Sequence, residues 1–451
     1  MSVMAVGIGF GVHGAEDSGR LYAGTSKVDI TPDEEFIIPK GGCAFRLPDD
    51  ANRKKAPPKN ILDPLFARVL VLKNDKTSLA IVSLDLTLFA SKKVIDEAKT
   101  KWKVDHVILS STHNHSSMVP RGLCPTPKGW EAWENIQEEA GELLDWPGFS
   151  EDPWYAATEA KIVAAIGDAM KNLFPAQLLA GKGPFESAYM AHNRRIVGAD
   201  GKAVSMWDNP KRLPTKPIDP TVGVIQVNDD SGKPRAFVVH YACHPVGMMT
   251  AGVLSRDYPG AMCDYVEKEL GGDCMAMMLQ GALGDLDPYD MNLGGEHGFN
   301  LMRQAGISLG KGALRLAKSL KTEDKKSSSI EIKEDLIKIP YRNGNKVTEA
   351  CVMTAVINND LALVTMPGEI FIQHQLDINK RSPINTFLLG QAYCGAGSPW
   401  LRYIPTVQAV KEGGFGASTA WYSFISADAG EKMVDQSVVS IKELMKGNIK
   451  K

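Results

Sequence analysis

Five apolar segments of this chain each end at a turn that contains glycine or proline and carries polar residues. Short runs of β-branched and other apolar residues are typical of buried β-strands. Helix-like stretches separate several of them, which predicts an α/β fold with a mixed β-sheet core flanked by helices. In open α/β sheets, ligands bind beyond the carboxyl ends of the strands. We therefore expect one active site at this edge, where the turns carry His113, His244, Asp285, Glu369 and Tyr403.

Residue patterns give the approximate limits of the regular elements. The predicted strands cover 23–32, 67–72, 79–84, 107–109, 178–183, 222–227, 236–241, 275–279, 361–365 and 387–390. The predicted helices cover 91–101, 156–173, 258–270 and 301–320, and a further helix follows Glu369 and ends at Lys380. Residues 119–153 carry Trp130, Trp133 and Trp146 and are expected to form a long loop that walls a pocket or packs on itself.

Composition excludes several classes of protein. The net charge is −2, from 51 basic and 53 acidic residues, which gives no electrostatic basis for binding nucleic acid or an anionic membrane surface. No apolar run is long enough for a transmembrane segment. A hydrophobic content of 44% is enough to bury a large core, and the predicted partner is a small-molecule or lipid substrate. The sequence leaves the oligomeric state open.

The cysteines and the first residues bear on the compartment. The seven cysteines are dispersed without a Cys-x-x-Cys motif, which excludes a zinc ribbon and a disulfide-dense scaffold but leaves the redox compartment open. Residues 1–15 are apolar and glycine-rich and contain no lysine or arginine. We interpret residues 1–20 as a tail or the remnant of a signal peptide, and an exported protein is slightly favoured over a cytoplasmic one.

The segment from Val107 to Met118 holds the most informative residues, His113 and His115. It reads as a buried strand followed by small polar residues and His-Asn-His. On a strand, residues two apart point to the same face, so two parallel imidazoles there are typical of the beginning of a metal site. The alternative is a polar strand end with one hydrogen-bonded and one solvated histidine.

Two further segments offer candidate metal ligands. His244 follows a strand and precedes a proline, whereas His240 lies inside that strand and is expected to be a core residue. Glu369 stands where a strand turns into a helix, a position at which an acid also complements the helix dipole. Two imidazoles and a carboxylate, with one position left for water, form a common catalytic zinc set.

Other polar residues follow the predicted strands. Asp257, Asp285 and Asp287 are candidates for chemistry, but aspartate in such turns commonly caps backbone amides. Arg194 and Arg195 lie in a predicted loop and are candidates for binding an anion or stabilising an oxyanion. The alternative is that they only contribute surface charge.

At this point the chain resembles the catalytic domain of the neutral (alkaline, non-lysosomal) ceramidase family. Eight segments match the family's motifs in order, between about residues 22 and 425: Val28–Pro32, Asp63–Arg68, Ser111–Ser116, Asn193–Arg194, Cys243–Pro245, Gly281–Pro288, Pro367–Glu369 and Tyr403–Thr406. The resemblance implies a single catalytic domain over residues 21–451, without the immunoglobulin-like C-terminal domain of larger members.

The resemblance also implies roles for individual residues. Zinc would be held by His113, His244, Glu369 and Tyr403. The catalytic residues would be His115, which moves a proton, together with Arg194, which steadies an oxyanion, and Asp287. Two positions depart from the family: its Ser is Asp287 here, and a second active-site Tyr is Phe415. Both departures weaken the case for ceramide itself. A buried carboxylate at 287 would favour a substrate rich in hydroxyls or bearing an amine, because an unpaired charge there is costly.

The sequence therefore predicts a zinc-dependent hydrolase that uses metal-activated water to cleave an amide (N-acyl) bond in a ceramide-like or other N-acylated substrate. Two alternatives remain at this stage. One is the same metal site acting on a carbohydrate or polyol, suggested by Asp287 and the tryptophan-bearing loop. The other is a non-catalytic, ligand-binding member, suggested by the two departures.

Overall fold

The computed structural model of this protein describes residues 19–33, 43–44, 61–119, 153–249, 253–271, 273–291, 295–321, 328–342, 344, 346–395, 399–419 and 423–447. The strands are β1 (Tyr22–Asp29), β2 (Cys43–Ala44), β3 (Phe66–Lys73), β4 (Ser78–Leu84), β5 (His106–Ser111), β6 (Met118–Val119), β7 (Phe174–Pro184), β8 (His192–Asn193), β9 (Arg195–Val197), β10 (Ala203–Ser205), β11 (Thr221–Asp229), β12 (Pro234–Tyr241), β13 (Met275–Gln280), β14 (Leu286–Asp287), β15 (Ile330–Pro340), β16 (Val347–Ile357), β17 (Leu361–Thr365), β18 (Glu369–Ile370), β19 (Asn385–Leu389), β20 (Ala392–Cys394) and β21 (Tyr403–Ile404). The helices are α1 (Lys92–Trp102), α2 (Pro153–Lys171), α3 (Asp257–Leu270), α4 (Gly295–Ala317), α5 (Ile372–Arg381), α6 (Val407–Glu412) and α7 (Ala429–Gly447).

Two sheets make up the centre of the molecule. The large sheet has nine strands in the order β13-β12-β11-β7-β1-β3-β4-β5-β20, and the small sheet has four in the order β15-β16-β17-β19. Both are mixed: β4 runs parallel to β5, β12 to β13 and β17 to β19, whereas the other neighbours are antiparallel. This confirms the predicted α/β class with a mixed sheet flanked by helices.

Alternation along the strands sorts their side chains into layers. In β3, Val69 and Val71 pack against α1 and α2, whereas Leu70 and Leu72 face the small sheet and join a cluster that includes Phe387. Helices α3 and α4 cover the β11–β13 part of the large sheet, and α5 and α7 cover the outer face of the small sheet. The order of layers is therefore helices, large sheet, small sheet, helices, because each apolar face must be buried against another element.

Several elements lie outside the sequence-based predictions. The hairpin of β15 and β16 and the last helix, α7, were not predicted, and neither was the face-to-face packing of two sheets. Strand β15 (Ile-Glu-Ile-Lys-Glu-Asp-Leu-Ile-Lys-Ile-Pro) is mostly half-buried, so its apolar signal is weak. The tryptophan-bearing loop and residues 1–18 lie outside the described residues.

Hydrogen bonds between distant strands bring the strand ends together. Ser83 in β4 donates from Oγ to the carbonyl of Met278 in β13 over 2.6 Å, although five strands lie between β4 and β13 in the order of the large sheet. The amide of Gly390 donates to the carbonyl of Gln280 over 2.9 Å, which ties the end of β19 to the end of β13. The carboxyl ends of strands from both sheets thus meet in one region.

His240 in β12 is a core residue, as predicted. Its Nε2 hydrogen-bonds the carbonyl of Leu388 over 2.8 Å, and its ring stacks on Phe387 with centroids 4.8 Å apart. Burial, aided by the charge of Lys182, lowers the pKa of His240 to about 3, so the imidazole is neutral in the folded protein.

This neutrality makes stability depend on pH. Because the folded pKa lies below the unfolded one, the contribution of His240 is fully present above about pH 6.5 and is lost as the pH falls towards 3. Chemical denaturation of the wild type and of His240→Leu, which cannot titrate, measures this contribution. Between pH 7.5 and pH 5 the wild type should lose about 2 kcal/mol of unfolding free energy relative to the variant. A constant difference over this range would show that His240 does not titrate with a lowered pKa.

Candidate metal centre

His113 is placed by the turn after β5. Its amide donates to the carbonyl of Leu86 over 2.9 Å, and its backbone adopts φ +63°, a left-handed conformation that is uncommon for a residue other than glycine. Its Nδ1 donates to the carbonyl of Thr87 over 2.7 Å. Since that proton occupies Nδ1, the neutral ring presents a bare lone pair at Nε2. Backbone strain of this kind persists where the surrounding structure fixes the residue.

His244 is held in the same manner. Its Nδ1 donates to the carbonyl of Leu286 over 2.9 Å, and its own amide donates to the same carbonyl over 3.1 Å. Its Nε2 lies 3.1 Å from Oε2 of Glu369. The main chain of β14 therefore fixes the tautomer of His244, as carbonyl groups commonly do for metal-bound histidines.

Glu369 and Tyr403 occupy paired positions in a two-stranded parallel ladder. Strand β18 aligns Glu369 with Tyr403 of β21, and the amide of Glu369 donates to the carbonyl of Arg402 over 2.7 Å. This ladder is possible because Gly284 lies against it: a Cβ at position 284 would come within 2.4 Å of the carbonyl oxygen of Glu369. Glu369 is not in the first turn of a helix, since α5 begins only at Ile372. The helix-dipole alternative for Glu369 is therefore wrong.

Three atoms with lone pairs converge at this point. Oε2 of Glu369 lies 3.1 Å from Nε2 of His244 and 3.5 Å from Nε2 of His113, and all three side chains are buried. With both Nδ1 atoms protonated, the neutral rings supply no donor between these three atoms, so either a bound cation or a further proton on a ring must bridge them. Ligands at about 2.0–2.1 Å from a tetrahedral zinc lie about 3.3 Å from one another. The observed spacings fit that value.

The surroundings shift the acid–base properties of the two remaining candidates. Burial acts to raise the pKa of Glu369, but His113 and His244, when they are protonated, outweigh it and hold that pKa well below its ordinary range. Burial, together with the negative charge of Glu369, raises the pKa of Tyr403 well above its ordinary value. Glu369 is thus an anion at neutral pH and Tyr403 a phenol.

His115 completes a compact histidine cluster. Candidate ligand atoms of His113, His115 and His244 all lie within 4.8 Å of one another, and the ring centroids of His115 and His113 are 4.8 Å apart. The strand-alternation argument for this pair is wrong in its geometry, because β5 ends at Ser111 and both histidines lie in the turn beyond it. The turn nevertheless brings both rings to one place.

Arg194 and Asp287 form a buried ion pair beside the cluster. Nη1 of Arg194 lies 3.1 Å from Oδ1 of Asp287, while Nη2 donates to the carbonyl of Gly284 over 2.6 Å and to the Tyr403 hydroxyl over 3.2 Å. Oδ1 of Asp287 also lies 3.5 Å from Nδ1 of His244. The Asp287 carboxylate is therefore buried, and the guanidinium of Arg194 balances its charge without a group from a substrate.

Aromatic rings surround this guanidinium. Its central carbon lies 4.9 Å from the ring centroid of Phe415 and 5.2 Å from that of Trp207, and the ring of Phe415 is 5.4 Å from that of Tyr403. Trp207 is 40% exposed, so the row of rings runs from the surface to Tyr403. Sequence reasoning did not single out Trp207, since nothing in its local sequence indicates its neighbours.

The other strand-end residues have structural roles. Asp285 accepts from the Ile372 amide over 2.8 Å at the start of α5 and from Nδ2 of Asn193 over 2.7 Å. Asp257 accepts from the Met248 amide over 2.8 Å and clamps the segment after His244, and burial raises its pKa to about 6. Arg195 is tied to carbonyls of residues 409 and 413. None of these three side chains is needed to explain the converging lone pairs.

Two solved ceramidase structures resemble this chain in fold. A ceramidase solved in complex with C2 has a TM-score of 0.70 and 15% sequence identity, with 94% of this chain and 76% of that chain covered. Neutral ceramidase from Pseudomonas aeruginosa has a TM-score of 0.66 and 17% identity, with 95% of this chain and 75% of that chain covered. The chain has the neutral ceramidase fold. No protein-family model and no curated protein sequence matches it.

The short motifs resembled those of neutral ceramidases, and the fold that this resemblance implies is thus confirmed. The structural neighbours are neutral ceramidases at low sequence identity. At these identities the likeness concerns the fold and not the activity. Within the described residues, no helix combines the length and apolar character needed to cross a bilayer.

The Arg194–Asp287 pair allows a stability prediction. Removing one charge of a buried pair leaves the other uncompensated and typically costs about 3–5 kcal/mol. Asp287→Asn should lower the unfolding free energy by that amount in chemical denaturation, and the double variant Asp287→Asn/Arg194→Met should recover part of the loss. A single variant as stable as the wild type would show that the two groups are not paired.

Proposed function

We propose that this protein is a zinc-dependent hydrolase that cleaves an amide (N-acyl) bond in a ceramide-like or other N-acylated substrate. The observation that carries the proposal is the convergence of the Nε2 atoms of His113 and His244 on Oε2 of Glu369. The neutral ceramidase fold supports the reaction class, because the two ceramidase structures match 94% and 95% of this chain.

The donor set fits zinc. His113, His244 and Glu369 would supply two nitrogens and one oxygen, with Tyr403 as a fourth ligand from the register position opposite Glu369. The carbonyls of Thr87 and Leu286 fix both imidazoles by their Nδ1 protons. Zinc bound there would polarise a carbonyl group and lower the pKa of a water molecule to about 7.

The other side chains would act around this centre. His115 lies among the ligand atoms and would move a proton between water and the leaving nitrogen, since imidazole titrates near neutral pH. Both terminal nitrogens of Arg194 already donate, to Asp287, Gly284 and Tyr403. We therefore propose that Arg194 holds the Tyr403 hydroxyl and balances Asp287, and that it reaches an oxyanion only by giving up one of these bonds.

The structural observations favour the N-acyl substrate over a carbohydrate or polyol. The carbohydrate alternative was suggested by Asp287 as a base and by the tryptophan-bearing loop. The Asp287 carboxylate is fully buried and paired with Arg194, and the loop lies outside the described residues. We also propose that residues 21–451 act as one catalytic unit on a small-molecule or lipid substrate and that the protein is exported.

Metal analysis tests the ligand set. The purified wild type should contain about one zinc per chain, and His113→Ala and Glu369→Ala should each lose most of it. His106→Ala is the matched control, since His106 begins the same strand, pairs with Glu334 and should leave the zinc content unchanged. Stoichiometric zinc in both site variants would end the assignment.

Turnover tests the reaction. N-acyl sphingoid substrates, simple N-acyl amines, glycosides and N-acetyl sugars should be compared with the same zinc-loaded enzyme. We expect hydrolysis of the N-acyl sphingoid substrates or the simple N-acyl amines, but not of the glycosides or the N-acetyl sugars. His115→Ala should lower kcat by about 10²–10⁴-fold while zinc is retained. Loss of zinc from His115→Ala would make His115 a ligand instead. Zinc without any turnover across the panel would support a non-catalytic member.

A further inference from the structure

Two cysteines face each other between the two sheets. Sγ of Cys394 lies 3.7 Å from Sγ of Cys351, and each residue is 1% exposed. Cys394 is the last residue of β20 at the edge of the large sheet, whereas Cys351 lies in β16 of the small sheet. Both belong to the apolar cluster that fills the space between these sheets. The pair therefore spans the sandwich in the same way as an inter-sheet disulfide.

The two sulfur atoms need to move only a short way to bond. An S–S bond is about 2.05 Å long, so from 3.7 Å each sulfur atom approaches by about 0.8 Å, a distance that side-chain rotation covers. Thr365 of β17 also contacts Cys394, with Oγ1 3.2 Å from Sγ.

We propose that Cys351 and Cys394 form an inter-sheet disulfide when the chain folds in an oxidising compartment. The two thiols give up two protons and two electrons to a disulfide donor, such as an oxidised thiol–disulfide oxidoreductase, which is reduced to two thiols as the S–S bond forms. Three other cysteines, Cys243, Cys263 and Cys274, pack between the large sheet and α3 and α4 and stay reduced.

Burial determines when the bond forms. In the reduced protein, the hydrogen bond to Cys351 and burial raise the pKa of the Cys394 thiol well above its ordinary value, so the reactive thiolate is scarce once the sheets have closed. The bond therefore forms during folding and is afterwards protected from reductants. Protein folded under reducing conditions keeps both thiols, even when an oxidant is added later.

The bond would stabilise the segment that carries Tyr403. Strand β20 pairs with β5, the strand before His113, and the carbonyl of Gln391 accepts from the Ser111 amide over 3.1 Å. The chain then continues from Cys394 to Tyr403. A covalent link between Cys351 and Cys394 restricts the conformations of the unfolded chain over 43 residues. It also fixes the start of the segment that leads to Tyr403.

The experiment compares full-length protein made in an oxidising compartment with protein made in a reducing cytosol. Each is denatured with an alkylating reagent present, without reductant, and mapped by peptide mass spectrometry. The oxidised preparation should yield a Cys351–Cys394 cross-linked peptide, with Cys243, Cys263 and Cys274 alkylated, and its Tm should exceed that of the reduced preparation by a few degrees.

Variants separate this bond from other effects of oxidation. Cys351→Ala and Cys394→Ala should remove the cross-linked peptide and the difference in Tm between preparations. Cys263→Ala, an equally buried cysteine on the other side of the large sheet, should preserve both. Alkylation of both thiols in the wild type made under oxidising conditions, or pairing of either with a different cysteine, would overturn the proposal, and wild-type mapping alone decides this if a variant does not fold.

Discussion

The centre of this molecule depends on three lone pairs that face one another in a buried space. The main chain holds the protons of His113 and His244 on their Nδ1 atoms, so in the neutral rings both Nε2 atoms face the Glu369 carboxylate without a proton of their own. Buried polar atoms that cannot satisfy one another are costly, and a cation is the simplest remedy. The distances among the three atoms fit a tetrahedral zinc ion.

The layered fold makes this convergence possible. His113 and His244 follow strands β5 and β12 of the large sheet, whereas Glu369 follows β17 of the small sheet and pairs with Tyr403 in the β18–β21 ladder. Face-to-face packing of the two sheets brings these ends together, and the Gly284 segment lies close enough to donate to the carbonyl of Ile370. The catalytic proposal and the proposed inter-sheet disulfide thus depend on the same contact between sheets.

The sequence predicted the parts of the site that local patterns describe. Apolar strands followed by polar turns indicated the mixed sheet and the positions of His113, His244 and Glu369. The sequence did not predict that Arg194 pairs with Asp287, because their contact depends on the β8–β14 ladder between segments that are 93 residues apart. It also did not predict the carbonyl partners of the histidines, since backbone acceptors have no residue signature. The charged residues of β15 weaken its apolar pattern, so the sequence did not predict the β15–β16 hairpin of the small sheet.

Crystallographic anomalous scattering, recorded on either side of the zinc absorption edge from crystals of the untreated protein, tests the central claim most directly. The account predicts one peak, present only above the edge, at about 2.0–2.1 Å from the Nε2 atoms of His113 and His244 and from a carboxylate oxygen of Glu369. Density with these three side chains in the same positions but no anomalous peak among them would contradict it.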